Sequence, residues 1–119
     1  MRRTMSIVLC LLPGLLLSLA GCDTSRYRPV EVPSPDGTLV ATASVNESQA
    51  DPTRYLCLRI EIRQRDGAVL YSEQTAASGR MRWSMEWLSN ELLHLASTDI
   101  GDLYWERQPS GQWQQQSTR

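Results

Sequence analysis

The chain has little with which to do chemistry. Its 119 residues include one His, three Cys, no Lys and no Phe. A single His, His94, excludes a zinc centre, which needs three or four His, Cys or carboxylate ligands at matched spacings. A net charge of −1 excludes the basic footprint of a nucleic-acid-binding surface. There is no phosphate-cradling glycine loop and no G-x-S-x-G elbow. No enzymatic activity, metal or cofactor is expected. All twelve cations are Arg, which we read as genome composition rather than function. Without Phe, a core must draw its bulk from Trp and Met.

Long hydrophobic runs are scarce too. The one apolar stretch, Ile7 to Leu19, is interrupted by Pro13, Gly14 and Ser18. It falls short of the roughly 20 apolar residues that span a bilayer as a helix. Arg2 and Arg3 precede it and small residues close it, the charge and length pattern of a secretory signal. It ends in Leu19-Ala20-Gly21-Cys22. This tetrapeptide resembles the bacterial lipobox. The resemblance implies diacylglycerol on the Cys22 sulfur, cleavage before Cys22, and an acylated new amino terminus. Several acyl chains anchor stably where one binds only marginally. The alternative is an ordinary signal peptide, but no A-x-A-like cleavage pattern is evident. Asp23 follows the lipidated Cys, and in enteric-type bacteria that residue resembles an inner-membrane retention signal.

Removing residues 1–21 of 119 leaves 98, enough for one small domain. That part keeps ten Arg against thirteen carboxylates, a net charge of −3. Cys10 leaves with the leader and Cys22 becomes a thioether, so Cys57 has no intramolecular disulfide partner. Residues 22–37 read as a tether, because Pro29, Pro33 and Pro35 favour extended chain. At ~3.1 Å per residue it would reach about 40 Å. Val30 and Val32 could instead form an edge strand on the domain.

From residue 38 to about 116 the chain reads as strands. Leu56, Leu58, Ile60 and Ile62 alternate with Cys57, Arg59, Glu61 and Arg63. Met81, Trp83, Met85 and Trp87 alternate with polar residues in the same way, and Leu39, Ala41, Ala43 and Val45 more weakly. Gly-containing turn signals separate the runs, and Asp66-Gly67 predicts a type I′ hairpin. The predicted class is all-β after an N-terminal signal helix: an antiparallel meander, as a curved open sheet or small sandwich.

An approximate repeat runs through this region. Asp36-Gly-Thr-Leu-Val-Ala-Thr-Ala-Ser44 aligns with Ser89-Asn-Glu-Leu-Leu-His-Leu-Ala-Ser97 at an offset of 53. Arg63-Gln-Arg-Asp-Gly67 aligns with Arg107-Gln-Pro-Ser-Gly111 at 44. The drop of nine is the length of the polar stretch Asn46–Arg54. The two units, about 36–69 and 88–113, together with Ser34-Pro35-Asp36-Gly37 before the first strand, resemble β-propeller blades of the TolB or WD40-like kind. Two blades cannot close a propeller. The resemblance therefore implies an open sheet, a sandwich or an assembly of several chains. One inconsistency stands: the apolar parity of the first unit (Leu39, Ala41, Ala43) maps onto Leu92, His94 and Ala96, whereas Leu93 and Leu95 fall on the other parity.

Candidate contact residues are few. For His94 a strand residue with hydrogen-bonded partners is the plainer reading, and a Cys57–His94 nucleophile pair lacks an orienting third group. Asp99 and Asp102 suit turn chemistry better than calcium, which wants several more oxygens. Most of the four Trp are expected in the core, with Trp113, in the polar tail, the exception. Tyr104, Trp105 and Trp113 are the candidates for a ligand or partner contact. The expected function is a membrane-anchored module facing the periplasm, inner membrane slightly favoured, that binds an envelope protein or has a structural role. The alternative is a small-molecule or glycan binder using exposed Trp and Tyr.

Overall fold

The computed structural model describes residues 27–116, and these fold as strand and turn. The strands are β1 (Val30–Pro33), β2 (Leu39–Val45), β3 (Cys57–Gln64), β4 (Val69–Ser78), β5 (Trp83–Ser89), β6 (Leu92–Ser97), β7 (Gly101–Arg107) and β8 (Trp113–Gln116). They make two four-stranded antiparallel meanders, β1-β2-β3-β4 and β5-β6-β7-β8. The fold is all-β, and the two sheets pack on one shared core as a small sandwich. The expected signal helix lies outside the described residues.

Alternation places the core. Leu58, Ile60 and Ile62 are fully buried, and the register sets Ile60 opposite Ala43 and Ile62 opposite Ala41. From the second sheet come Met85, Leu93, Leu95, Trp105 and Trp113. Two residues of the predicted alternations fall outside their strands. Met81 precedes β5 and is 48% exposed. Leu56 precedes β3 with φ of 63°, a conformation that costs a β-carbon-bearing residue about 1–2 kcal/mol. It is held there from both sides, donating to Asn46 O (2.6 Å) and accepting from the Gly79 N–H (2.8 Å). A Cβ on Gly79 would stand 2.6 Å from Val45 Cγ2, so this approach needs glycine.

The hairpin at Asp66-Gly67 forms, but not as the expected type I′ turn. Only Gly67 has positive φ (96°); Asp66 does not. Gly67 N–H donates to Gln64 O and Gln64 N–H to Ala68 O, both at 2.9 Å. This is a type I turn closed by a glycine bulge, which needs left-handed backbone at one residue instead of two. Asp66 supports it by accepting from Ala68 N–H (2.9 Å). The turn Gln108-Pro-Ser-Gly111 repeats the pattern, with Gly111 N–H on Gln108 O (2.8 Å) and Gln108 N–H on Gln112 O (2.7 Å).

The tether expected over residues 22–37 ends earlier than predicted. Val30–Pro33 pairs in register with Val40–Ala43, so the later part of that segment is sheet. Pro33 is tolerated because β1 is an edge strand. Ser34–Gly37 then forms the turn into β2.

The offsets read from the sequence match the strand starts but not the ladder register, because Ala41 pairs with Ile62 whereas its counterpart His94 pairs with Tyr104, two residues short of the 44 offset. An offset of 53 takes Leu39, which opens β2, to Leu92, which opens β6. An offset of 44 takes Cys57 to Gly101 and Val69 to Trp113, the first residues of β3 and β7 and of β4 and β8. Asn46–Arg54 lies in the longer β2–β3 connection. The parity inconsistency also resolves. The first sheet buries Ala41 and Ala43, whose counterparts His94 and Ala96 face outward. The second buries Leu93 and Leu95, whose counterparts Val40 and Thr42 lie on the outer face of the first. The sheets meet through opposite faces of the common pattern.

Among the edge strands, β4 is the longest at ten residues. Its Glu73 points toward the partner sheet, accepting from the Tyr71 hydroxyl (2.5 Å) and the Gln115 amide. An inward charge on an edge strand discourages pairing with another chain. Burial, with the Glu73 carboxylate beside it, holds the Tyr71 hydroxyl far above its usual pKa.

Candidate functional site

The lipobox residues Leu19, Ala20, Gly21 and Cys22, and the sorting residue Asp23, lie outside the described residues. The candidates within the domain divide sharply.

Trp105 is fully buried and Trp113 is 7% exposed. Both belong to the core and neither can stack on a ligand. The expectation for Trp113 fails because position 113 takes the inward parity of β8, opposite Arg107 in the register. There its ring meets Trp87 edge to face at 5.8 Å. Trp87 in turn donates its indole N–H to Val32 O (2.9 Å), joining the first strands of the two sheets. Trp105 and Trp113 thus supply core bulk, with Trp83 and Trp87 partly buried against them.

Tyr104 does lie on the outer face of the second sheet, where it stacks on His94 with ring centroids 4.6 Å apart. His94 Nε2 is 3.1 Å from Asp102 Oδ1 and Nδ1 is 3.5 Å from Glu86 Oε1. The register dictates this cluster, because Glu86, His94 and Tyr104 are direct cross-strand neighbours. The carboxylates sit on opposite ring nitrogens, so a cation on either nitrogen would meet only one of them. The arrangement orients the imidazole without making a chelate, and Cys57 is not part of it. Cys57 Sγ lies 3.6 Å from Ala76 O on the other sheet.

Asp99 and Asp102 do not converge. Asp99 accepts from Ser78 N–H (3.1 Å), pinning the β6–β7 turn to the end of β4, whereas Asp102 serves His94.

Sequence reasoning missed an open cleft of about 720 Å³ at one end of the sandwich. Its walls include Asp36, Arg65, Asn90, Glu91 and Arg107. Turns from both sheets meet there, and Asp36 N–H donates to Asn90 Oδ1 (2.9 Å) across the gap. Asp36 is committed to its own turn: Oδ1 accepts from Thr38 N–H (3.0 Å), Thr38 Oγ1 (2.8 Å) and Ser34 Oγ (2.9 Å). These bonds, the Thr38 backbone N–H foremost, hold its carboxyl below the usual range. Two arginines, Arg65 and Arg107, and three carboxylates, Asp36, Asp66 and Glu91, line the cleft, so neither sign of charge dominates it. The signal in sequence was the aligned pair Arg63-Gln-Arg-Asp-Gly and Arg107-Gln-Pro-Ser-Gly, which puts arginines next to equivalent turns.

Comparison of the chain with protein-family models, curated proteins and solved structures finds no match.

Proposed function

We propose that this protein is a lipid-anchored bacterial envelope protein whose β domain acts as a non-enzymatic interaction or structural module. The observation that carries the reading is Leu19-Ala20-Gly21-Cys22 at the end of a short apolar run preceded by Arg2 and Arg3. The chemistry implied at Cys22 is covalent lipid on sulfur, and the anchor leaves the domain on the periplasmic side of the membrane. Support for an interaction role comes from the sheets. Each presents a broad outer face of charged and polar side chains, and the chemically reactive groups His94, Cys57 and Asp99 are each engaged separately. The glycan-binding alternative relied on exposed Trp and Tyr, and burial of Trp105 and Trp113 leaves Tyr104 alone of its three candidate contacts.

Growth of cells expressing the protein with an alkyne-tagged fatty acid tests the reading. Label on the protein, lost in Cys22→Ala together with membrane association, is the expected result. Unlabelled protein released into the soluble periplasmic fraction would refute the anchor. Cross-linking in intact cells would then identify a protein partner, and recovery of the uncross-linked chain alone would refute the interaction role.

A further inference from the structure

The two ends of the sandwich differ in what their connections display. One end collects the turns 34–38, 65–68, 90–91 and 108–112, which meet around the cleft. None of them contains a Leu, Ile, Val, Met or aromatic residue. The other end collects the connections 46–56, 79–82 and 98–100. Each of these holds one exposed large apolar side chain: Tyr55 (40% exposed), Met81 (48%) and Ile100 (44%). The other exposed apolar residues, Val30, Val69, Leu70 and Leu88, lie within strands.

Bonds among the three connections fix them as one surface. The segment 79–82 leads from β4 in one sheet to β5 in the other. At its start, Gly79 N–H donates to Leu56 O (2.8 Å), one residue from Tyr55. At its end, Arg82 O accepts from Thr98 N–H (3.1 Å) and Thr98 Oγ1 (2.8 Å), in the turn that carries Ile100. Ser78 N–H on Asp99 Oδ2 (3.1 Å) adds a third link. Carboxylates are present at this end, but Asp51, Asp99 and Asp102 are each engaged within the domain. Arg80 and Arg82 are exposed and make no ion pair among the described residues.

The chain enters the domain at this same end. Val30 opens β1 opposite Ala43, near the end of β2, and Cys57 at the start of β3 lies opposite Ser78 at the end of β4. Eight residue steps separate Val30 from Cys22, so the two lie at most about 29 Å apart whatever path the chain takes. The cleft turns are a further strand length away, about 23 Å for the seven residues of β2. A lipid on Cys22 therefore confines the end carrying Tyr55, Met81 and Ile100, and not the cleft turns, to the neighbourhood of the bilayer.

We propose that this end of the domain docks on the bilayer surface, with Tyr55, Met81 and Ile100 in the headgroup region and Arg80 and Arg82 on lipid phosphates. A Tyr ring suits that zone, with an apolar body and a wet hydroxyl. Met and Ile add the apolar area with which interfacial binding scales. Three separate tips bind little alone, but a short tether makes their contact intramolecular and raises their effective concentration. The inference thus rests on the anchor at Cys22 and adds an orientation: the cleft faces away from the membrane.

The test uses the lipidated protein purified from membranes and inserted in nanodiscs of phosphatidylethanolamine and phosphatidylglycerol, doped with a lipid bearing a headgroup nitroxide. Nuclear magnetic resonance is expected to show loss of the Tyr55, Met81 and Ile100 amide signals while those of Gly37, Gly67 and Gly111 persist. In Y55S/M81S/I100S, exposed substitutions whose folding thermal unfolding checks, the lost signals are expected to return although the protein stays on the disc. Equal broadening at both ends, or greater broadening at the glycine turns, overturns the docking and leaves the anchor standing. Signals that stay lost in the folded triple variant overturn the role of the three tips. Mass spectrometry of the same sample separates the other failure: a Cys22 without lipid refutes the anchor, and the docking with it.

Discussion

The two sheets share strand order and the geometry of their last hairpin turns, yet they fill the core in opposite ways. The first contributes Ala41, Ala43 and Ala77 beside Leu58, Ile60 and Ile62; the second contributes Met85, Leu93 and Leu95 with Trp105 and Trp113. Small side chains on one layer leave room for indoles from the other. Cores pack to a fixed density, so what is conserved between facing layers is their summed volume rather than either layer's composition. In a domain without Phe, the second sheet carries the bulk. The strongest way to break this arrangement is Trp105→Ala, which empties the largest fully buried side chain and should cost about 3–5 kcal/mol. Urea unfolding followed by far-ultraviolet circular dichroism measures it. A loss below about 1 kcal/mol would mean that the first sheet collapses into the gap and that the layers are not volume-matched.

The converse substitution sharpens the same comparison. Ala43→Leu adds bulk to the layer that yields space, with overpacking expected to cost about 1–3 kcal/mol. If it stabilised instead, the small layer would hold unfilled space. Read this way, much of the fold was legible in sequence. The alternation in 58–62 and 83–87 gave strands and their inward sides, and the offsets of 53 and 44 gave the equivalent strand starts though not the ladder register. What remained illegible has a physical cause. Parity tells which residues share a face but not which face meets a neighbour, so Leu93 and Leu95 looked inconsistent until the two sheets were seen to bury opposite faces. Trp113 looked exposed because its neighbours Gln112 and Gln114 are polar, although a strand at the rim of a sandwich needs only every second residue to be apolar. The candidate site suffered more than the fold. Contacts chosen by residue type, Trp105 and Trp113, were spent on packing.

A smaller effect tests whether the turns are as equivalent as the strands. Gly67 and Gly111 both have left-handed backbone, φ of 96° and 89°. A Cβ at position 67 would meet nothing within 4 Å, and one at 111 only Arg107 at 3.9 Å. Substitution by Ala is therefore a matter of backbone strain alone, about 1 kcal/mol at each site. Equal losses for Gly67→Ala and Gly111→Ala, measured by thermal unfolding, are expected. A loss at one site twice that at the other would show that the two turns share geometry but not energetics.

The subtlest contrast is between turn side chains. Asp36 of the first sheet corresponds to Ser89 of the second, so these two equivalent turns differ in their response to acid. Asp36 has its carboxyl held below the ordinary value of 3.8 by donors from Thr38 and Ser34. The unfolded chain takes up that proton first as pH falls, so the turn's contribution is complete above pH 3.8 and is lost as pH drops through the lower, folded value. Ser89 has no proton to gain, and its hydroxyl accepts from Glu91 N–H (3.2 Å) at any acidity. Amide exchange read by nuclear magnetic resonance along an acid titration should therefore show Thr38 N–H losing protection below the ordinary carboxylate range while Glu91 N–H holds. In Asp36→Asn the Thr38 step disappears, because the side chain that accepts the proton is gone. A step at Thr38 that persists in the variant would place the acid-sensitive group elsewhere in the first sheet and leave the turn's own chemistry out of the difference between the layers.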